Sequence, residues 1–175
     1  MSKHLQNQQS GNNSTNLQAG RDINLKQVAQ SEEYDFGIID EIFKSIVKNL
    51  RTGKHSSDKK HVSLNEKIEI NFHNQEDRER VQQYFKFAYT KISLIEKRIQ
   101  EEDIEIQNDL QGHIFENYNG FKDQNLGNIE ILEELFKQFV IPTKKDNPEY
   151  RNLTRAFVLF FFDDCTIFDK TEFER

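Results

Sequence analysis

The side chains best suited to bond-making chemistry in this chain of 175 residues are five histidines, one cysteine and a short acidic run. The histidines are His4, His55, His61, His73 and His113. Zinc takes three or four nitrogen, sulfur or oxygen ligands, often with two histidines one helical turn apart. No two of these histidines have that spacing, and Cys165 has no second cysteine to pair with. Only a convergence of loops would bring His55, His61 and His73 together, and loop histidines otherwise sit in water. No metal is expected. Cys165 follows an apolar run and two acids, Asp163 and Asp164. Positive charge activates a thiol and neighbouring carboxylates oppose activation, so Cys165 reads as a buried structural thiol. Glu101, Glu102 and Asp103 would suit acid–base work if burial split their pKa values. They close a helix in a polar stretch and read as a solvated face. The sequence contains no G-x-S-x-G elbow, P-loop or G-x-G-x-x-G turn, and no cofactor is expected.

An arginine and a histidine close together remain to be weighed, because small all-helical ribonucleases use such a pair. Here the pair is Arg51 and His55, with three residues between them, one fewer than the HEPN family signature. They fall past the end of the first predicted helix, His55 inside a polar loop over 52–62 and Arg51 directly before it. Lys54, Lys59 and Lys60 lie in the same stretch. The segment is therefore either a solvated loop or a local basic patch, and a small helical ribonuclease or toxin-like effector using Arg51 and His55 stays as the alternative function. The net charge of −6 argues against a broad basic face, so nucleic acid enters the expectation only indirectly.

The elements that must hold these residues are mostly helical. Phe36, Ile39, Phe43, Ile46 and Leu50 step by three or four along a first helix. Asn74 with Asp77 resembles a capping box, and Val81, Phe85, Ala88, Ile92, Ile95 and Ile99 follow at helical spacing to about Glu102. Tyr84, Phe87 and Leu94 add a second stripe, so this helix is expected to pack against more than one neighbour. A shorter helix spans 106–118. Ile129, Leu132, Phe136 and Phe139 mark another, stopped by Pro142. Asn147-Pro148 opens a last helix, apolar on all faces and therefore central. Ile167, Phe168 and Phe173 imply that part of the tail beyond it packs.

Three stretches read differently. Residues 1 to about 16 are Gln, Asn, Ser, Gly and Thr, the composition of a disordered tail. Leu17 and its neighbours, a turn at Ala19-Gly20-Arg21-Asp22, and Ile23-Asn24-Leu25-Lys26 form a β-hairpin pattern. Leu64 to Phe72 alternates apolar and polar, which fits either one further short strand or a turn-rich connector. The expected fold is mainly α: a compact bundle of about five helices, the N-terminal hairpin and that strand. Residues 1–30 make a flexible tail with an adaptor hairpin, and 31–175 a helical interaction domain.

A single cysteine suits a reducing cytoplasm, and the first residues lack the apolar core of a secretory signal. The longest apolar run, Ala156 to Phe162, is far short of the about 20 residues that span a bilayer. The expected location is the cytoplasm, with no membrane partner.

Glu33-Tyr34-Asp35-Phe36-Gly37-Ile38-Ile39-Asp40-Glu41-Ile42-Phe43 resembles the opening of a C-terminal domain in bacterial ABC-three-component systems. The stretch from Leu153 to Phe168 is similar to that domain's closing helix, an apolar run followed by acid, Cys and a second apolar pair. The resemblance implies an all-α appendage that joins an effector to an SMC-like ABC ATPase in defence against phage and plasmids. It supplies no catalytic residues. Gly11 to Asn24 is similar to N-terminal adaptor segments on bacterial conflict proteins. No effector domain precedes the helical body, which implies an effector on another polypeptide or an accessory role.

The resulting expectation is a non-catalytic adaptor whose partners are an SMC-like ATPase and an effector component. An orphan hairpin can extend a partner's sheet edge through main-chain hydrogen bonds, which points to Leu17, Arg21, Ile23 and Leu25 as partner-binding residues. A homo-oligomer assembled through the same hairpin is the other structural reading.

Overall fold

The stretch Pro148–Asp163 contains a long phenylalanine-rich run and forms the innermost helix of the protein. A computed structural model describes residues 33–46, 63–164 and 166–168. The chain falls into two compact units, Met1–Asp35 and Phe36–Arg175. Among the described residues are six α-helices and one 3-10 turn: α1 (33–46), α2 (Leu64–Asn71), α3 (Gln75–Glu101), α4 (Ile104–Lys122), α5 (Asn128–Gln138), the turn Pro142–Lys144, and α6 (Pro148–Asp163). The fold is mainly helical, with no strand among the described residues.

Helix α6 starts where its sequence says it should. Asn147 Oδ1 accepts the backbone N–H groups of Glu149 and Tyr150 at 2.9 and 3.3 Å, and Pro148 takes the first position, where no N–H is needed. Every residue from Ala156 to Phe162 is buried. Phe157 stacks on Phe43 of α1 and Phe139 at the end of α5, with centroids 5.8 and 5.4 Å apart. Phe162 meets Phe85 of α3 and Phe72 of the α2–α3 corner. Beyond α6 the chain turns back through Phe168, whose φ of 69° is left-handed, a rare conformation for so large a side chain. That turn sets its ring 4.9 Å from Tyr118 and 5.3 Å from Phe162, while Ile167 is fully buried. Part of the tail therefore packs, as expected.

The long helix α3 carries the cap that the sequence implies, with one difference. Asn74 Oδ1 accepts the Asp77 N–H at 2.8 Å, but the Asp77 carboxylate takes the Asn74 side-chain amide instead of its backbone N–H. Val81, Phe85, Ala88, Ile95 and Ile99 are buried along the expected stripe. Helix α4 is longer than the periodicity suggests because Asp103 caps it, accepting from Glu105 and Ile106 at 3.1 and 3.0 Å. In α5, Glu130 reaches back to the Gly127 N–H at 2.8 Å.

The strand expected at Leu64–Phe72 is a helix instead. Alternation would place Ile68, Ile70 and Phe72 on one face, yet Ile68 and Phe72 are buried while Ile70 faces outward. The buried set Lys67, Ile68 and Asn71 has helical spacing. No strand lies among the described residues to take up its backbone groups, whereas a helix satisfies them internally. Two polar side chains that alternation assigned to solvent or ignored are held inside. Lys67 Nζ donates to the Phe162 carbonyl at the end of α6, and Asn71 Nδ2 donates to the Lys67 carbonyl at 2.9 Å.

Candidate interaction surface

On the edge of α3 facing α5 and α6, contacts bring three elements together. Arg80 pairs with Glu133 of α5 at 3.2 Å, and the Tyr84 hydroxyl donates to the same carboxylate at 3.0 Å. The Tyr84 ring stands edge-on to Phe136 of α5, with centroids 5.3 Å apart. The Arg155 guanidinium of α6 lies over both rings, 5.9 Å from each centroid. Further along, Lys91 pairs with Glu149 of α6 at 2.6 Å.

These contacts also define a register. As the α3 number rises from 84 to 91, the α6 partner falls from 155 to 149, so the two helices run antiparallel. Phe87 lies between the two rungs in the sequence of α3, as Asn152 does in that of α6, and both are exposed. Phe87 is 81% exposed, the highest value among the large hydrophobic side chains described. Its companions in the second stripe behave differently: Tyr84 and Leu94 are half-buried. The expectation that the whole stripe packs is therefore corrected at Phe87.

The electrostatics of this strip are uneven. Arg80 is held above its ordinary pKa, first by its hydrogen bond to Glu133 and then by that carboxylate's charge. Tyr84 is also raised, first by partial burial and then by its bond to Glu133. Glu133 and Glu149 are thus engaged at the two ends. Arg155, between them, is exposed and has no carboxylate partner among the described residues. Arg151, one turn away on the same helix, is exposed too, with one N–H donated to the Lys145 carbonyl at 3.1 Å. A hydrophobic ring beside two guanidinium groups that have no acid partner among the described residues can receive a polypeptide.

A second concavity, of about 350 Å³, lies at the α2–α3 corner between Phe72, His73, Asn74 and Asp77 on one side and Leu126, Gly127 and Asn128 on the other. Its polar groups bond mainly to one another. Asn74 and Asp77 cap α3, Glu130 holds the Gly127 N–H, and Asn128 Nδ2 donates to the Asn71 carbonyl at 2.6 Å. The recess is a consequence of helix capping.

The hairpin residues Leu17, Arg21, Ile23 and Leu25 lie outside the described residues, as do Arg51, His55, His61 and Cys165. His113 is half-buried, edge-on to Phe139 at 5.6 Å, and burial lowers its pKa. The acidic run has definite structural roles: Asp103 caps α4, and Glu101 and Glu102 approach Arg98 at 3.6 and 2.8 Å. Among the described residues no three His, Cys, Asp or Glu side chains group as metal ligands would, and no helix is long and apolar enough to cross a membrane. The Phe87 strip was half-legible in the sequence, because the aromatic second stripe of α3 was visible there. That Arg155 has no acid partner among the described residues was not visible, since it depends on which helices meet.

Comparison with family models, with curated proteins and with solved structures finds no match to this chain.

Proposed function

We propose that this protein is a non-catalytic adaptor: a helical body that holds an exposed aromatic side chain, and arginines with no acid partner among the described residues, for a protein partner. The observation that carries this reading is Phe87, 81% exposed on α3 between the residues of two interhelical ion pairs. An aromatic ring placed in water costs solvation free energy, and aromatic and arginine side chains are enriched where protein interfaces concentrate their affinity. Resemblance of residues 33–43 and 153–168 to the C-terminal domain of ABC-three-component systems supplies a setting, with an SMC-like ATPase and an effector as the components joined. The N-terminal segment around Leu17, Arg21, Ile23 and Leu25 supplies a second contact in that setting.

The test is affinity capture of the tagged full chain from its native host, with mass spectrometry of what it brings. Near-stoichiometric recovery of an ATPase and an effector is the expected result. Replacing Leu17, Ile23 and Leu25 together by Ser should abolish part or all of that recovery while the helical circular dichroism is unchanged. Recovery of the protein alone, under conditions in which the system operates, would end the adaptor reading.

A further inference from the structure

The strip between α3 and α6 also indicates the chemistry of what it binds. Arg151 and Arg155 stand at i and i+4 on α6, where like charges lie about 5–6 Å apart at Cβ and repel. Neither has a carboxylate of its own within the described residues, although the chain as a whole carries six more acids than bases (30 against 24). Stacking over Tyr84 and Phe136 orients the Arg155 guanidinium before any partner arrives, and a planar guanidinium recognises carboxylate through two parallel hydrogen bonds. Phe87 lies one turn along α3 from Tyr84, within about 5 Å along the helix axis. Asn152, exposed between Arg151 and Arg155 in the sequence of α6, adds a donor and an acceptor.

We infer that this strip docks an acidic segment of another protein, one that places carboxylates against Arg151 and Arg155 and a large apolar side chain against Phe87. The inference rests on the adaptor reading and narrows it to one surface and one partner chemistry. A nucleic acid fits the strip less well. Glu133 and Glu149 close its two ends, and a phosphate backbone continuing past either end would run into those acids, while a short peptide segment fits between them. Phe87 alone resembles a base-stacking platform, but the single-stranded sites that use such platforms set them in a continuous basic groove.

The experiment places a photo-cross-linking phenylalanine analogue at position 87 of the full chain, expressed in its native host, and sequences the peptide joined to it. Position 87 is exposed, so the analogue fits without repacking. The expected product is a peptide rich in Asp and Glu that carries an aromatic or large aliphatic residue. Arg155→Glu and, separately, Arg151→Glu should each lower the cross-link yield by about tenfold or more, as reversal of a contacting charge does. Arg155→Gln is the control for loss of stacking, and each variant is checked for an unchanged thermal transition. A neutral or basic peptide, a nucleic acid, or a peptide of this chain itself would overturn the inference, as would a yield indifferent to both reversals. If the capture experiment still recovers its partners while position 87 joins nothing, the adaptor reading stands and this surface is wrong. If capture recovers no partner, both fall together.

Discussion

A lysine ammonium inside an apolar core is costly unless something negative receives it, and Lys67 is only 2% exposed. Its Nζ donates to the Phe162 carbonyl and lies 5.0 Å from the Phe162 ring centroid, at the C-terminal and therefore partly negative end of α6. Lys67→Met keeps the stem and removes the donor. The expected loss is about 1–3 kcal/mol, read as a lower urea midpoint at unchanged slope. His113 gives a second residue-scale prediction. Burial lowers its pKa, with Glu116 opposing more weakly, so the folded protein takes up a proton less readily than the unfolded chain. Stability is then complete above the unfolded value of about 6.5 and falls as the pH drops below it. Urea melts at pH 7.5 and 5.5 should differ less for His113→Gln than for the wild type. An equal difference would show that the histidine does not contribute.

At the scale of elements, α3 joins the molecule through side chains spaced along its whole length. Near its C-terminus Arg98 binds Asp40 of α1 at 2.6 Å, Glu102 at 2.8 Å and Glu101 at 3.6 Å, and the Asp40 hydrogen bond is the main cause of its raised pKa. Arg98 is partly shielded, so this cluster is worth more than a free surface pair. Arg98→Met should cost about 1 kcal/mol, and the difference should shrink at about 1 M salt, where screening reaches a few ångströms. Salt-independent destabilisation would mean that the packing of the arginine stem matters more than its charge. Asp103 performs a separate task at the next junction. By capping α4 directly after Glu102 it turns the chain without a long loop, and Asp103→Ala should lower stability by about 1 kcal/mol.

Across the unit that begins at Phe36, α6 supplies the buried centre while α3 carries the most exposed of the large hydrophobic rings described, Phe87. Phe157 touches Phe43, Phe139 and Phe161, and truncating it to Ala should cost about 3–5 kcal/mol, enough to unfold much of a small domain. Phe87→Ala should leave the thermal transition nearly unchanged, within about 0.5 kcal/mol, because the ring is already in water. The same change should weaken partner capture. A residue neutral for folding and needed for association is what an interaction surface requires, and thermal melts beside capture yields measure both.

How much of this was legible in advance follows from the range of each interaction. Helical periodicity, the Asn147-Pro148 start, the Asn74 cap and the all-apolar Ala156–Phe162 run depend on residues within a turn or two of one another. The sequence therefore determined the helical class, the course of α3 and the central place of α6. Leu64–Asn71 went wrong because its alternation was a local signal overruled by a distant one, the carbonyl at the end of α6 that receives Lys67. The exposure of Phe87, and the position of Arg155 over two rings with no acid partner among the described residues, were likewise decided only by tertiary structure. Both depend on where α3, α5 and α6 meet. The pairing of Glu133 with Arg80 and of Glu149 with Lys91, across gaps of 53 and 58 residues, sets that meeting point and is invisible to any local pattern.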